Sequence, residues 1–220
     1  MALFAYAAAF SFAYVSLTAA TGALLLFGAV QATMIGRGLW QGERFSRRQL
    51  AGFGAALAGL VGLLLPGLAA PPLTGALLMI VAGVAWGIYS LRGRGAGDAT
   101  AVTAGNFIRS IPFAVVLSVV MLPLLSFDTA GAAYAVASGA LASGVGYAIW
   151  YTALPLLRAT QAATVQLSVP VIAALGGVLL LGEALTPRLL LASVAILGGI
   201  ALVVLEKRAS PVPLPGHESR

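Results

Sequence analysis

The chain has 220 residues, of which 60% are hydrophobic and only 8% are charged. Ordinary soluble domains carry about 25% charged residues, so this composition excludes a water-soluble globular fold. The net charge of +6 does not indicate nucleic-acid binding, because the twelve Lys and Arg residues punctuate the apolar runs instead of forming one patch.

Eight apolar runs follow one another along the chain. They cover about residues 2–17, 20–40, 50–66, 73–91, 106–126, 131–151, 161–182 and 189–205. Only helices and closed barrels satisfy their own backbone in lipid, and these runs lack the period-two alternation of barrel strands. The sequence therefore predicts an all-α polytopic membrane bundle of about eight transmembrane helices. Residues 206–220 are polar and proline-rich, and we expect a disordered tail there.

Part of the sequence is repeated after 140 positions. Residues 21–65 align with residues 161–205 without gaps, with eleven identities. A chain rich in Leu, Ala and Gly gives some matches by chance, so the comparison depends on residues that are rare here. These are Gly42, Glu43 and Arg48 in the first copy and Gly182, Glu183 and Arg188 in the second. An internal repeat is predicted, with three helices in residues 1–67 and five in residues 68–205.

The positive charges predict an orientation in the membrane. If both termini are cytoplasmic, eleven Lys and Arg residues lie inside and only Arg188 lies outside. The two Gly-Glu loops then fall on opposite faces, which is the arrangement of inverted repeats in secondary transporters. We expect a multi-pass protein of the inner membrane whose first repeat lacks two helices.

The second repeat resembles the EamA-type members of the drug/metabolite transporter superfamily. The resemblance is carried by Leu179 to Glu183 with the helix that follows, by Ser168-Val169-Pro170, by Trp86 to Ser90 and by Gly105-Asn106-Phe107. It implies ten helices in two inverted five-helix repeats and transport of small metabolites or amphipathic drugs. Where the family has a proline in the first repeat, this chain has Val30, so that copy has drifted.

A polar break is predicted in the seventh run. Pro170 removes one backbone hydrogen bond, and Gln166 and Ser168 lie beside it. The break is either a broken helix lining a substrate cavity or a structural kink, and Gln166 favours the cavity. Gln31 is the nearest polar residue in the first copy.

Aromatic residues cluster near the cytoplasmic ends of the fourth and sixth runs. They are Trp86, Tyr89, Tyr147, Trp150 and Tyr151. They indicate either an interfacial aromatic belt or the wall of a cavity for an aromatic or amphipathic solute. Tyr147 and Tyr151 are four residues apart and are predicted to share a helix face.

Two further sets of polar residues have open roles. Asn106 and Arg109 are predicted to open the fifth run, where Arg109 either reaches the headgroups or contacts an anionic substrate. Glu43 and Glu183 are predicted at helix ends, where a loop-fixing role is favoured over a gate or a proton site.

The favoured function is solute transport by alternating access, in the direction of efflux. No Asp or Glu lies inside a predicted run, which argues against proton antiport, and no Walker motif is present for ATP hydrolysis. The alternative is a truncated, non-transporting membrane remnant or structural partner. An enzyme is not expected, since no catalytic motif is found. The chain has no cysteine, which excludes a thiolate metal site, and neither a cofactor nor a metal is expected. Expected partners are a small solute and the lipid bilayer but no nucleic acid; a homodimer is left open.

Overall fold

Every regular element in the described part of the chain is helical. The computed structural model describes residues 1–65, 71–94, 97–124, 127–182 and 184–206. The helices are α1 (Ala2–Ala13), α2 (Ala19–Trp40), α3 (Arg47–Leu64), α4 (Leu73–Gly93), α5 (Ala99–Val120), α6 (Thr129–Val136), α7 (Gly146–Ala153), α8 (Ala159–Val165), α9 (Val169–Leu181) and α10 (Pro187–Val204). This confirms the all-α polytopic bundle. The predicted tail, apart from Glu206, lies outside the described residues.

Two pairs of these helices are continuous rods. A π-helical segment, Ala137–Val145, joins α6 to α7, and a 3-10 turn, Gln166–Ser168, joins α8 to α9. The described residues therefore form eight helical segments. Six of them are long and apolar enough to cross a membrane. The exceptions are α1, whose 12 residues rise about 18 Å, and α3, which begins with the polar Arg47-Arg48-Gln49.

Side-chain caps fix where several helices begin. Ser46 caps α3 in a capping box with Gln49, so α3 starts three residues before the predicted run. The Asp98 carboxylate accepts a hydrogen bond from the Ala101 N–H and starts α5 at Ala99. The prediction that the fifth run begins near Asn106 is therefore wrong by about two helical turns. These two helix starts are set by capping side chains, and average hydropathy does not locate them.

The helical segments alternate in direction through the bundle. In α4, Gly87 packs on Thr33 of α2, and Gly83 packs on Ala29, so α2 and α4 run parallel. Gly75 of α4 contacts Ser16, which follows α1, so α1 and α4 run antiparallel. The same end of the bundle consequently holds the start of α1, the ends of α2 and α4, and the starts of α3 and α5.

Arginine is concentrated at that end. The start of α8 joins it through Glu43, and the end of α10 joins it through a hydrogen bond from Ser46 to Glu206. The arginines at or near it in the described ranges are Arg37, Arg44, Arg47, Arg48, Arg92, Arg94 and Arg158. Arg188 lies at the start of α10, which is the other end. We call the first the arginine-rich end.

The bounds of α2 and α3 recur 140 positions later. Shifted by 140, α2 and α3 coincide to within one residue with the α8–α9 rod and with α10. Contacts between α3 and α10 are reciprocal under the same shift: Gly52 meets Gly199, and Gly59 meets Ala192. Position 52 corresponds to 192, and position 59 to 199. The contact between 52 and 199 is therefore equivalent to the contact between 192 and 59, with the two helices exchanged. Such contacts require the two equivalent helices to be antiparallel.

Candidate functional site

The rod formed by α8 and α9 is broken near its middle. A 3-10 turn covers Gln166–Ser168, and Pro170 stands in the first turn of α9. Ser168 donates a hydrogen bond back to the Val165 carbonyl at 2.8 Å. The Ala163 carbonyl accepts a 2.7 Å bond from the Gln31 amide of α2. A side chain of α2 thus supports the broken backbone of the α8–α9 rod, as lipid-embedded breaks require.

Gln166 connects this break to an aromatic cluster. The Trp86 indole N–H donates to the Gln166 side-chain oxygen, and the Gln166 amide faces the Met34 sulfur at 3.0 Å. Trp86 has Tyr147 at 4.8 Å and Tyr6 at 4.9 Å between ring centroids. The arrangement offers ring faces for stacking beside an amide for hydrogen bonding.

The tyrosines of the cluster face the protein interior. Tyr89 is 4% exposed and Tyr151 is 3% exposed, so the aromatic-belt interpretation is wrong for these two. The rings of Tyr147 and Tyr151 both pack against Tyr89 in tilted arrangements, with ring centroids 6.0 and 5.1 Å away, which confirms that they share a face. The Tyr151 hydroxyl donates to the Tyr89 carbonyl at 3.1 Å. The cluster therefore ties α4 to α7.

Trp150 lies at the edge of this cluster. Its indole N–H donates to the Ser90 hydroxyl at 3.3 Å. This bond holds Trp150 on α4 and directs its polar atom away from Trp86 and Gln166. Among the aromatic candidates, Trp150 is therefore a contact between helices and not part of the group around Gln166.

Asn106 and Arg109 line a cavity at the arginine-rich end. The cavity has a volume of about 530 Å³ and lies between the start of α1, the end of α4 and α5. Tyr89, Tyr151 and Arg92 also line it. Since α5 begins at Ala99, Arg109 lies ten residues into the helix, about 15 Å from its start. The prediction that Asn106 and Arg109 open the fifth helix is therefore wrong; they lie about two and three turns inside α5.

Glu43 joins the two halves of the chain. Its carboxylate accepts hydrogen bonds from the Ala159 N–H at 3.1 Å, the Thr160 N–H at 3.0 Å and the Thr160 hydroxyl at 2.8 Å. Partial burial alone would raise the pKa of Glu43, but the bonds from Thr160 and Ala159, with nearby Arg94, lower it below its usual value. These bonds hold the loop after α2 against the start of α8.

The two loop glycines share a backbone conformation. Gly42 has φ +89° and Gly182 has φ +69°, both in the left-handed region that glycine adopts without strain. Gly182 ends α9 in this way. Glu183 lies outside the described residues, so its predicted role stays a prediction.

Sequence reasoning missed two residues of the site and misjudged one. Tyr6 and Met34 lie in apolar runs, where an aromatic or a methionine gives no distinct signal, yet both contact the group around Gln166. Gln31 was noted only as a polar neighbour, although it bonds directly to the break. A buried glutamine in an apolar run was the available signal for Gln31.

Three comparisons relate the chain to known proteins. The family model for the EamA-like transporter family matches residues 73–205. Uncharacterized protein PA1977 of Pseudomonas aeruginosa is 63% identical over 203 residues, covering 92% of this chain and 71% of that protein. A solved crystal structure at 23% sequence identity superposes with a TM-score of 0.76, covering 92% of this chain and 73% of that one. This last similarity shows a shared fold.

Proposed function

Because this chain belongs to the EamA-like transporter family, we propose that it moves small metabolites or amphipathic drugs out of the cell by alternating access. A multi-pass membrane transporter is what the family and the apolar helices support directly. The solute class, the direction and the mechanism are the parts that we propose.

The observation that carries the mechanism is the reciprocal packing of equivalent helices. We treat residues 1–67 and 68–205 as two inverted repeats, since α3 and α10 are antiparallel and exchange contacts across the 140-residue shift. Inverted repeats can rock against each other around a site where they meet. Gln31 and Gln166 lie at that junction, one from each repeat and both buried.

We assign roles to the candidate residues on this basis. Trp86 contacts both Tyr147 and Gln166, and these three would hold the solute. Tyr89, Asn106 and Arg109 line the access cavity. Ser168 and Pro170 shape the break in the α8–α9 rod that brings Gln166 to the site. Trp150 would position α7 through Ser90 without touching the solute.

Flux through reconstituted vesicles tests the proposal. Purified protein in liposomes should carry at least one solute from a panel of metabolites and amphipathic drugs faster than empty vesicles. Trp86→Phe removes the indole N–H that Gln166 accepts, and should lower that flux about tenfold. Trp40→Phe is the matched control, because Trp40 is 80% exposed at the end of α2.

Two outcomes would contradict the proposal. No flux above empty vesicles for any solute in the panel would reject transport. Equal loss in the Trp86 and Trp40 variants would reject the assigned site and leave transport standing.

Orientation is proposed from the arginine-rich end, which we place in the cytoplasm with both termini. Arg44 and Arg188 lie at opposite ends of the bundle. The chain has no native cysteine, so Arg44→Cys and Arg188→Cys can be labelled singly in intact cells. An impermeant maleimide should reach position 188 only; labelling of both positions from outside would reject the inverted arrangement.

A further inference from the structure

The cavity at the arginine-rich end has the dimensions of a small-molecule site. Its volume of about 530 Å³ falls within the range of about 300–1,000 Å³ that is usual for ligand pockets. It reaches from Met1 at the start of α1 to Arg109 on α5. Two arginines, one aspartate, one asparagine and two tyrosines are among the side chains that line it.

Arg109 is the unusual member of this lining. A charged residue about 15 Å along a membrane helix is costly unless it faces a partner or a water-filled cavity. Gly105 leaves room for its guanidinium, which lies 3.3 Å from where a Cβ at position 105 would be. The side chain thus folds back toward the start of α5, and its charge is presented to the cavity.

The positive charges of the cavity are not neutralised by its lining. No ion pair joins Arg92 or Arg109 to a carboxylate in the described part of the chain. Asp98 is the one acidic residue in the lining, and its carboxylate already accepts the Ala101 N–H as the cap of α5. The cavity therefore carries two positive charges against one negative charge.

A buried hydroxyl without a partner points to a ligand as well. Tyr89 is 4% exposed and lines the cavity, and no described residue lies within full hydrogen-bond geometry of its hydroxyl. The side chains of Asn106 and Tyr151 are the polar groups that approach it. A buried polar group without a partner is costly, and a bound solute would supply the missing hydrogen bond.

We propose that this cavity binds a small soluble oxyanion, a carboxylate or a phosphate group, between Arg92 and Arg109, with the Asn106 amide and the Tyr89 hydroxyl as further donors. Guanidinium groups are the side chains best suited to bind both oxyanions. The cargo of the transporter is accordingly an organic anion, a statement that rests on the proposed function. The same oxyanion chemistry occurs in a lipid headgroup, and the experiment separates the two sources.

A matched pair of probes tests the charge of the ligand. Benzoate and benzamide have nearly the same size and shape, and only benzoate is an anion at pH 7. In nanodiscs of phosphatidylcholine, calorimetry should show binding of benzoate and of inorganic phosphate, with benzamide at least about tenfold weaker. Binding of benzamide as tight as benzoate would overturn the proposal.

Variants locate the binding site. Arg109→Gln should weaken benzoate binding about tenfold or more, and Arg109→Lys should restore part of it. Asn106→Asp, which puts a negative charge beside Tyr89, should weaken it as well. Arg48→Gln removes the same charge at the same end but away from the cavity, and should leave binding unchanged. Equal losses in the Arg48 and Arg109 variants would reject the site in favour of general electrostatics.

The remaining arms separate the proposal from its alternatives. Stabilisation by phosphatidylglycerol in the nanodisc without any binding of benzoate or phosphate would overturn it, since Arg109 then serves a headgroup. Flux of neutral solutes without benzoate binding would reject the anion site and leave the proposed transport function standing. Benzoate binding that depends on Arg109, with no flux of any solute, would keep the site and reject transport.

Discussion

Replacing Gly52 by alanine should force α3 and α10 apart. A Cβ at Gly52 would lie 2.6 Å from the Gly199 carbonyl oxygen and 2.7 Å from Leu202 Cβ, whereas ordinary van der Waals contacts begin at 3.4 Å. The helices must separate by about 0.8 Å, the difference between 3.4 and 2.6 Å, because the nearest atom belongs to backbone and cannot rotate away. Overpacking of this kind costs about 1–3 kcal/mol.

Gly54→Ala provides the matched control on the same helix. No atom lies within 4 Å of the position that its Cβ would take. Alanine is favoured over glycine inside a helix by about 0.8–1 kcal/mol, and both variants gain this term. The difference in free energy of unfolding between the Gly52 and Gly54 variants therefore isolates the contact between α3 and α10.

Equilibrium unfolding of the purified protein in mixed detergent micelles measures that difference. The Gly52 variant should unfold at a lower fraction of dodecyl sulfate than the Gly54 variant, by an amount equivalent to about 1–3 kcal/mol. Gly59→Ala should fall between them, because its nearest neighbour, Ile196 Cγ1 at 2.9 Å, is a side-chain atom that can shift. Coincident unfolding curves for the Gly52 and Gly54 variants would refute the close approach.

Three further substitutions test the loops and the break by the same unfolding measurement. Glu43→Gln should lower the free energy of unfolding by about 1 kcal/mol at pH 7. Because folding lowers the pKa of Glu43, wild-type stability falls as the pH drops below the ordinary value of 4.5, and the difference between wild type and variant shrinks. A difference that stays constant with pH would contradict this. Gln31→Leu removes the side-chain bond to the Ala163 carbonyl and should cost about 0.6–2 kcal/mol. An unchanged midpoint of unfolding would contradict a stabilising role for that bond. Gly42→Ala should cost about 1–2 kcal/mol, because alanine is strained at the φ of +89° found there. Gly36→Ala, in open space within α2, should cost nothing. Similar losses of stability in both variants would reject backbone strain at Gly42.

Hydropathy and the 140-residue repeat predicted most of the fold. The apolar runs located every helical segment, because continuous apolar sequence is itself what lipid demands of a spanning helix. The fifth run was misplaced because residues 99–105 are small and weakly polar, and the start of α5 was decided by a single carboxylate, that of Asp98. Local capping is stronger evidence for a boundary than average hydropathy when the sequence near the boundary is neutral.

The site was predicted in its parts but not in its connections. Gln166 and Trp86 were both candidates, yet their hydrogen bond spans 80 positions of sequence and no local pattern predicts it. Tyr6 could not be identified as a site residue, because a single tyrosine in an apolar helix has no periodic pattern to distinguish it. Glu43 was predicted to fix a loop, but its hydrogen-bond partner, the start of α8, depends on how distant helices pack and has no local signal.

The placement of the acidic residues has an energetic consequence for the cell. Asp98 and Asp128 cap helices, Glu43 lies between α2 and α3, and Glu206 follows α10, so the helices described offer no carboxylate to carry a proton across the bilayer. An anion carried without a proton moves its own charge through the membrane potential. Moving one negative charge out of the cell releases about 2.3 kcal/mol at a membrane potential of 100 mV, negative inside. This free energy sustains an external concentration of a monovalent anion about fifty times the internal one. The voltage of the membrane alone could then drive such a solute out against its concentration gradient. Collapsing that voltage with a potassium ionophore in high external potassium would stop this uphill export.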